Sequence, residues 1–293
     1  MRRLGESSLV PIAVVVIAIV ALWYLFAIIL NTPWQQSVYT RGDGAVVPFT
    51  QFLADVFSQQ RPVLPAPHQV AVEFYNSVFI APANTPRSLI FHAWITLSAT
   101  GLGFLFGTLL GIGLAVLIVH NRAMDRSLMP WIIASQTIPI LAIAPMIVVV
   151  LNSVGLTGLI PKALISTYLS FFPVVVGMVK GFRSPEAIHL DLMRTYNASG
   201  SQVFWKLRWP AAVPYLFTSM KVGVAASLVG AIVGELPTGA AGGLGSRLLA
   251  GSYYGQTTQI WAALLMAAAL SAALIFLIGG IEKLTRKAMG APA

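Results

Sequence analysis

The side chains of this chain that are able to do chemistry do not assemble into a reactive set. His68, His92, His120 and His189 are scattered without metal-ligand spacing, and cysteine is absent, which removes thiolate metal sites, disulfides and cysteine nucleophiles. No H-E-x-x-H, G-x-S-x-G or G-x-x-x-x-G-K-[ST] occurs, and none of the lysines follows a glycine. What remains is contact chemistry, and it is densest between Lys180 and Pro214. There Asp191-Leu192-Met193-Arg194-Thr195-Tyr196-Asn197-Ala198-Ser199-Gly200 precedes Val203-Phe204-Trp205-Lys206-Leu207-Arg208-Trp209-Pro210. Ser184-Pro185-Glu186 predicts a helix start, with a capping hydroxyl, proline at the first helical position and an acid in the first turn. That helix is expected to run to about Tyr196. Asn197, of the residue type best able after glycine to turn left-handed, is expected to end it. Ser199 then caps a second short helix that Pro210 stops. Two capped helices at an angle form a rigid elbow, which suits a surface where a soluble partner docks and transmits motion.

The elements around this elbow are set by composition. Hydrophobic residues make up 57% and charged residues 9%, and the mean hydropathy is +0.81, values that exclude an ordinary soluble domain. A bilayer core of about 30 Å takes roughly 20 apolar helical residues to cross. Six spans fit, at Leu9–Leu30, Leu89–Val119, Met129–Leu151, Ala163–Val179, Val213–Leu236 and Ile260–Ile281. The fold class is therefore all-α: one polytopic membrane domain over residues 1–293, with an outer segment at 31–88 and the elbow at 181–213. The first apolar run exceeds a signal-peptide core and lacks a nearby cleavage site, so it is expected to stay attached.

Charge orients the chain. Arg2, Arg3, Arg122, Arg126, Lys180, Arg183, Arg194, Lys206, Arg208, Lys283, Arg286 and Lys287 fall on one side of the spans; Arg41, Arg61, Arg87, Lys162 and Arg247 fall on the other. The positive-inside rule then places both termini and the elbow in the cytoplasm. It also accounts for the net charge of +9 without nucleic acid.

In the outer segment, apolar spacing predicts amphipathic helices at Pro48–Gln60 and His68–Phe79, separated by Pro62, Pro65 and Pro67. They are too short for an independent receptor and read first as packing caps. Gly103, Gly107 and Gly111 recur every fourth residue in the second span, the pattern that lets helix backbones approach closely in lipid. In the third span Gln136 and Thr137 stand beside Pro139, with Pro145 beyond. They either line a solute path or bond to neighbours at a kink. Glu235, an acid at membrane depth, can pair with Arg247, cap the glycine-rich turn Gly239–Gly245, or touch solute. A structural or gating role suits it best, and Lys221 is expected to snorkel to the cytoplasmic surface.

These features resemble the permeases of ABC importers. The elbow is similar to their EAA loop, with Asp191 in the Glu position, Leu192 and Met193 in place of the alanines, Asn197 in place of Gly, and Leu207, Trp209 and Pro210 in the terminal positions. Val63-Leu64-Pro65-Ala66-Pro67-His68-Gln69-Val70, Gln136-Thr137-Ile138-Pro139 through Ala144-Pro145, and Gly234-Glu235-Leu236 followed by Gly243-Leu244-Gly245 resemble nitrate, sulfonate and taurine-type members in the same order. The resemblance implies a type I importer fold in a bacterial inner membrane. It also implies cytoplasmic ATP-binding subunits gripping Asp191, Tyr196, Asn197, Ala198, Ser199, Gly200, Phe204 and Pro210, and a second permease copy, identical or a paralogue. A periplasmic or lipid-anchored solute-binding protein completes the expected assembly. No cofactor is expected on this chain, since ATP and Mg would sit on the partner ATPase. Gln136, Thr137, Pro139 and Glu235 become candidates for the path or gate, for a solute such as nitrate, a sulfonate, taurine or a pyrimidine-type vitamin precursor. The competing expectation is an ion-gradient-driven secondary transporter or channel, which calls for paired acids or inverted repeats; the sequence offers a single acid, Glu235, and no visible repeat.

Overall fold

A computed structural model of the chain describes residues 9–41, 47–237 and 242–290. Arg2, Arg3 and part of the Gly239–Gly245 turn lie outside them. Among the described residues the regular structure is helical throughout. Its helices are α1 Leu9–Arg41, α2 Phe49–Phe57, α3 Pro67–Tyr75, α4 Leu89–His120, α5 Arg122–Ser135, α6 Ile140–Ser153, α7 Leu159–Phe182, α8 Ala187–Thr195, α9 Gly200–Val203, α10 Trp209–Glu235, α11 Leu244–Tyr253 and α12 Thr257–Ala288. Wider π-type turns follow α3 at Asn76–Ile80 and precede α10 at Phe204–Arg208.

Among the described residues five helices are long and apolar enough to cross a membrane, and the pair α5 and α6 makes a sixth span if taken together. That pair departs from the single helix expected at Met129–Leu151, because its members meet at 96°. Gln136 and Thr137 donate their amides back to Ile133 and Ala134, closing the turn, and Pro139 starts α6 from an extended backbone. Proline has no N–H and forces its predecessor out of the helical region, so the chain cannot carry α5 straight through.

The chain divides into two compact units, one of residues 1–90 and 247–265, the other of 91–246 and 266–293. In the first, α1 runs eleven residues past the expected end of its span at Leu30, through Pro33 to Arg41. The cause is a polar face. The buried side chain of Asn31 accepts from the Val63 and Leu64 amides and donates to the Leu64 carbonyl, while Gln35 accepts from Gln59. Trp23 donates to the Pro65 carbonyl and Thr257 to that of Pro62. The proline-rich segment is thus tied to helices by side chains, since its own prolines cannot donate.

In the second unit the core is the packing of α7 against α4 and α10. A Cβ on Gly103 would lie 2.2 Å from Ser166 Cβ, and one on Gly230 2.7 Å from Ser166 Cα. No side chain larger than hydrogen fits at either position. Ser166 donates to the Ser227 carbonyl and Ser227 to the Thr100 carbonyl, so hydroxyls bridge helices where the backbones approach. In lipid, where apolar burial does not separate helix from solvent, this close contact is what holds the bundle together.

Candidate functional site

The elbow begins two residues later than the sequence implies. Ser184 Oγ donates backward to the Gly181 carbonyl, leaving Glu186 at the N-cap of α8 without a capping side-chain bond. At the other end Ala198 N–H bonds to the Met193 carbonyl and Asn197 N–H to that of Arg194. This nested pair closes a helix on a left-handed residue. Asn197 supplies it, with φ of +48°, alone among the described non-glycine residues in having a positive φ. Ser199 then accepts from the Gln202 amide while the Gln202 side chain accepts from Ser199 N–H, a reciprocal cap on α9.

Pro210 does not stop a helix, as the sequence reading expects. It sits in the first turn of α10, and α9, the π-type turn and α10 form one continuous helical path from Gly200 to Glu235. The wider turn, in which Trp209 N–H reaches back to the Phe204 carbonyl, comes just where a proline ring would otherwise crowd the preceding turn.

The side chains sort into an anchor and an outer surface. Phe204 is buried. Its ring packs within 5.0–6.1 Å of Trp205, His120, Phe182 and Trp209, so it fixes the elbow to the ends of α7 and α4 rather than offering a contact outward. Arg183, at the end of α7, pairs with Asp125 in the first turn of α5 at 2.8 Å. None of the α8 residues is buried. On one side Ile188, Leu192 and Tyr196 succeed one another every fourth residue at 69%, 52% and 77% exposure. Asp191 is exposed and, among the described residues, forms an ion pair only with Arg194, at 2.9 Å on the surface. Such a pair contributes little. Gly200 is open, with nothing within 4 Å of where a Cβ would stand, and Ala198 is half-buried.

The other predicted residues fall elsewhere. Gln136, Thr137 and Pro139 form the break between α5 and α6, and Tyr168 of α7 pins that break by donating to the Ser135 carbonyl. An open cavity of about 710 Å³ between α7 and α10 is lined by Phe172, Val176, Tyr215, Thr218 and Val222, not by the break. Glu235 is wholly buried and accepts from Thr96 Oγ1 at 2.9 Å and Gly245 N–H at 2.8 Å. Thr96 accepts in turn from Leu244 N–H, His92 Nδ1 pairs with Gly243 N–H, and Lys162, 2% exposed, donates to the Gly242 carbonyl. A Cβ on Gly243, whose φ is +117°, would lie 2.2 Å from Glu235 Cδ. Glu235 thereby takes the second of its three expected roles, holding the described part of the glycine-rich turn. Lys221 pairs with Glu282 at 2.6 Å, next to Lys283 at the basic end of α12.

Thr96, His92 and Lys162 were not singled out from the sequence as partners of Glu235. The available signal was the depth of Lys162, since a cation so close to an apolar run calls for a partner.

Residues 107–290 match the family described as binding-protein-dependent transport system inner membrane component. The formylaminopyrimidine transport permease protein of Halalkalibacterium halodurans is 31% identical over 62% of this chain and 68% of its own length. The riboflavin transport system permease protein of Chloroflexus aurantiacus is 31% identical over 76% of this chain and 79% of its own. Among solved structures, an inward-facing MetNI methionine ABC transporter superposes with a TM-score of 0.60 over 67% of this chain and 95% of that chain, at 18% identity.

Proposed function

This chain belongs to the binding-protein-dependent transport system inner membrane components, the permease subunits of ABC importers, and on that premise we propose that its elbow is where a separate ATPase subunit docks. The observation that carries the reading is the row Ile188, Leu192 and Tyr196, three large apolar side chains left in the open on a helix that has no buried residue of its own. Burying one such side chain is worth about 1.5–3 kcal/mol, so a monomer gains nothing by displaying three of them together. A partner groove that covers them does.

The elbow is built to pass force onward. The left-handed turn at Asn197 and the reciprocal cap at Ser199 fix the angle between α8 and α9. The Phe204 cluster and the Arg183–Asp125 pair carry displacement into α7, α10 and α5. Closure of an ATPase pair would draw two elbows together and rock these helices, opening the path outward to a loaded binding protein, and hydrolysis would reset it. That cycle requires the docked contacts to differ in free energy between the two states. ATP and Mg belong to the ATPase, which is a separate polypeptide in this reading.

Further parts of the assembly follow the same premise. The second permease copy, identical or a paralogue, closes the open apolar groove between α7 and α10 into a path. Both termini and the elbow face the cytoplasm of a bacterial inner membrane, as the basic residues favour. A periplasmic or lipid-anchored binding protein selects the solute; the two relatives named for formylaminopyrimidine and riboflavin point to a small nitrogen heterocycle. The test is co-purification. The native chain should bring down a nucleotide-binding subunit and, alone, hydrolyse no ATP. Tyr196→Glu should lose that subunit while inserting normally; retention of the subunit by the variant would refute docking on this row.

A further inference from the structure

The first unit holds a polar cavity of about 360 Å³ whose lining includes Glu73, Ser77, Arg87, Arg247, Gln256 and Gln259. Each of the three charges has a different standing. Glu73 is fixed, accepting from Ser77 Oγ at 3.0 Å, and it faces Arg247 electrostatically. Among the described residues neither Arg87 nor Arg247 has a hydrogen-bond or ion-pair partner for its guanidinium. Arg87 is exposed, but Arg247 is half-buried, and burial pushes its guanidinium down from the ordinary arginine value while Glu73 pushes it back up. A partly buried guanidinium with five donors and no acceptor is costly, and arginine is rarely left so. One carboxylate cannot balance two such cations, so the cavity keeps an excess positive charge.

We propose that this cavity is an oxyanion site, in which Arg247 and Arg87 converge on a single carboxylate, sulfonate or phosphate group with Gln256 and Gln259 supplying amide donors. Glu73 offsets one of the two positive charges there and so limits the charge the site accepts to about one. Two sources share this chemistry. Arg87 stands two residues before α4, and Gln256 immediately before α12, so the cavity lies at the ends of two membrane-crossing helices. A lipid headgroup phosphate can reach such a level, and so can a small soluble anion. The site rests on the first unit alone and does not depend on any ATPase docking.

The test uses the complete chain in non-ionic maltoside detergent with trifluoroacetate as probe, read by fluorine NMR line broadening. Broadening is expected, with displacement by sulfate and inorganic phosphate. Arg247→Gln and Arg87→Gln should each weaken it by about tenfold or more, the weight of a charge-assisted hydrogen bond. Glu73→Gln should strengthen it, a gain that structural damage cannot produce. In nanodiscs, loss of the signal when phosphatidylglycerol replaces phosphatidylcholine assigns the site to a headgroup, and persistence assigns it to a soluble anion. The site is refuted if the native chain gives no broadening, if the double arginine variant broadens the probe equally, or if Glu73→Gln weakens binding.

Discussion

Asn197 carries the geometry of the elbow, and it does so through its backbone. An L-residue in the left-handed region costs about 1–2 kcal/mol, least for asparagine and nothing for glycine. At φ of +48° Asn197 accepts that strain to bring the Met193 and Arg194 carbonyls under the next two amides. Asn197→Gly should therefore keep the elbow and its transport, whereas Asn197→Val should cost the helix end about 1–2 kcal/mol or more. Limited proteolysis between 195 and 201 reads this directly: faster nicking of the valine variant alone is expected, and equal protection of both would show that the turn does not rely on this conformation. The sequence made this residue legible because few types tolerate φ > 0. The partners of Glu235 were not legible, since Thr96 and Glu235 lie 139 positions apart and no local pattern links them. The burial of Phe204 was not legible for a related reason: it depends on Phe182 and His120, which arrive from other helices.

Helices in this bundle are matched by the smallness of their contact residues, and two glycines of α4 separate that effect from propensity. A Cβ on Gly103 would stand 2.2 Å from Ser166 Cβ and 2.7 Å from the Ala163 carbonyl, while one on Gly101 meets nothing within 4 Å. Gly101→Ala should be neutral or stabilising, by up to about 1 kcal/mol of helix propensity. Gly103→Ala carries the same gain but must push α7 away, and overpacking costs about 1–3 kcal/mol. Thermal unfolding in detergent, followed by size-exclusion fluorescence, should show a lower midpoint for Gly103→Ala only. Matching midpoints would mean that α4 and α7 do not approach this closely. Apolar length predicted these crossing helices well, because hydropathy sums over many residues. It failed where one or two residues decide. Pro139 turned a kink into a 96° break, and Asn31 and Gln35, expected in the outer segment beyond the first span, belong to a helix that grips the proline segment.

For the molecule as a whole, the family is that of ABC importer permeases with the type I fold, and the proposal that an ATPase subunit docks on the elbow is the claim to test. The strongest test changes what a partner meets without changing what the chain packs. Gly200 meets that condition. It is exposed, opens α9 just after the Ser199 cap, and has free space where a side chain would grow. A glutamate there sits well in a first helical turn, where the helix dipole favours an acid by about 0.3–1 kcal/mol. Gly200→Glu should thus insert, fold and melt as the native chain does. If an ATPase closes on this face, the added bulk and charge must be desolvated in the contact, and solute uptake should be abolished together with any stimulation of hydrolysis by the loaded binding protein. The competing outcome is equally plain: uptake at the native rate, with the ATPase still bound, would remove the elbow from the transmission path. Force would then have to enter through α5 or the ends of α7 and α10, where Arg183 and Asp125 already join two of those elements.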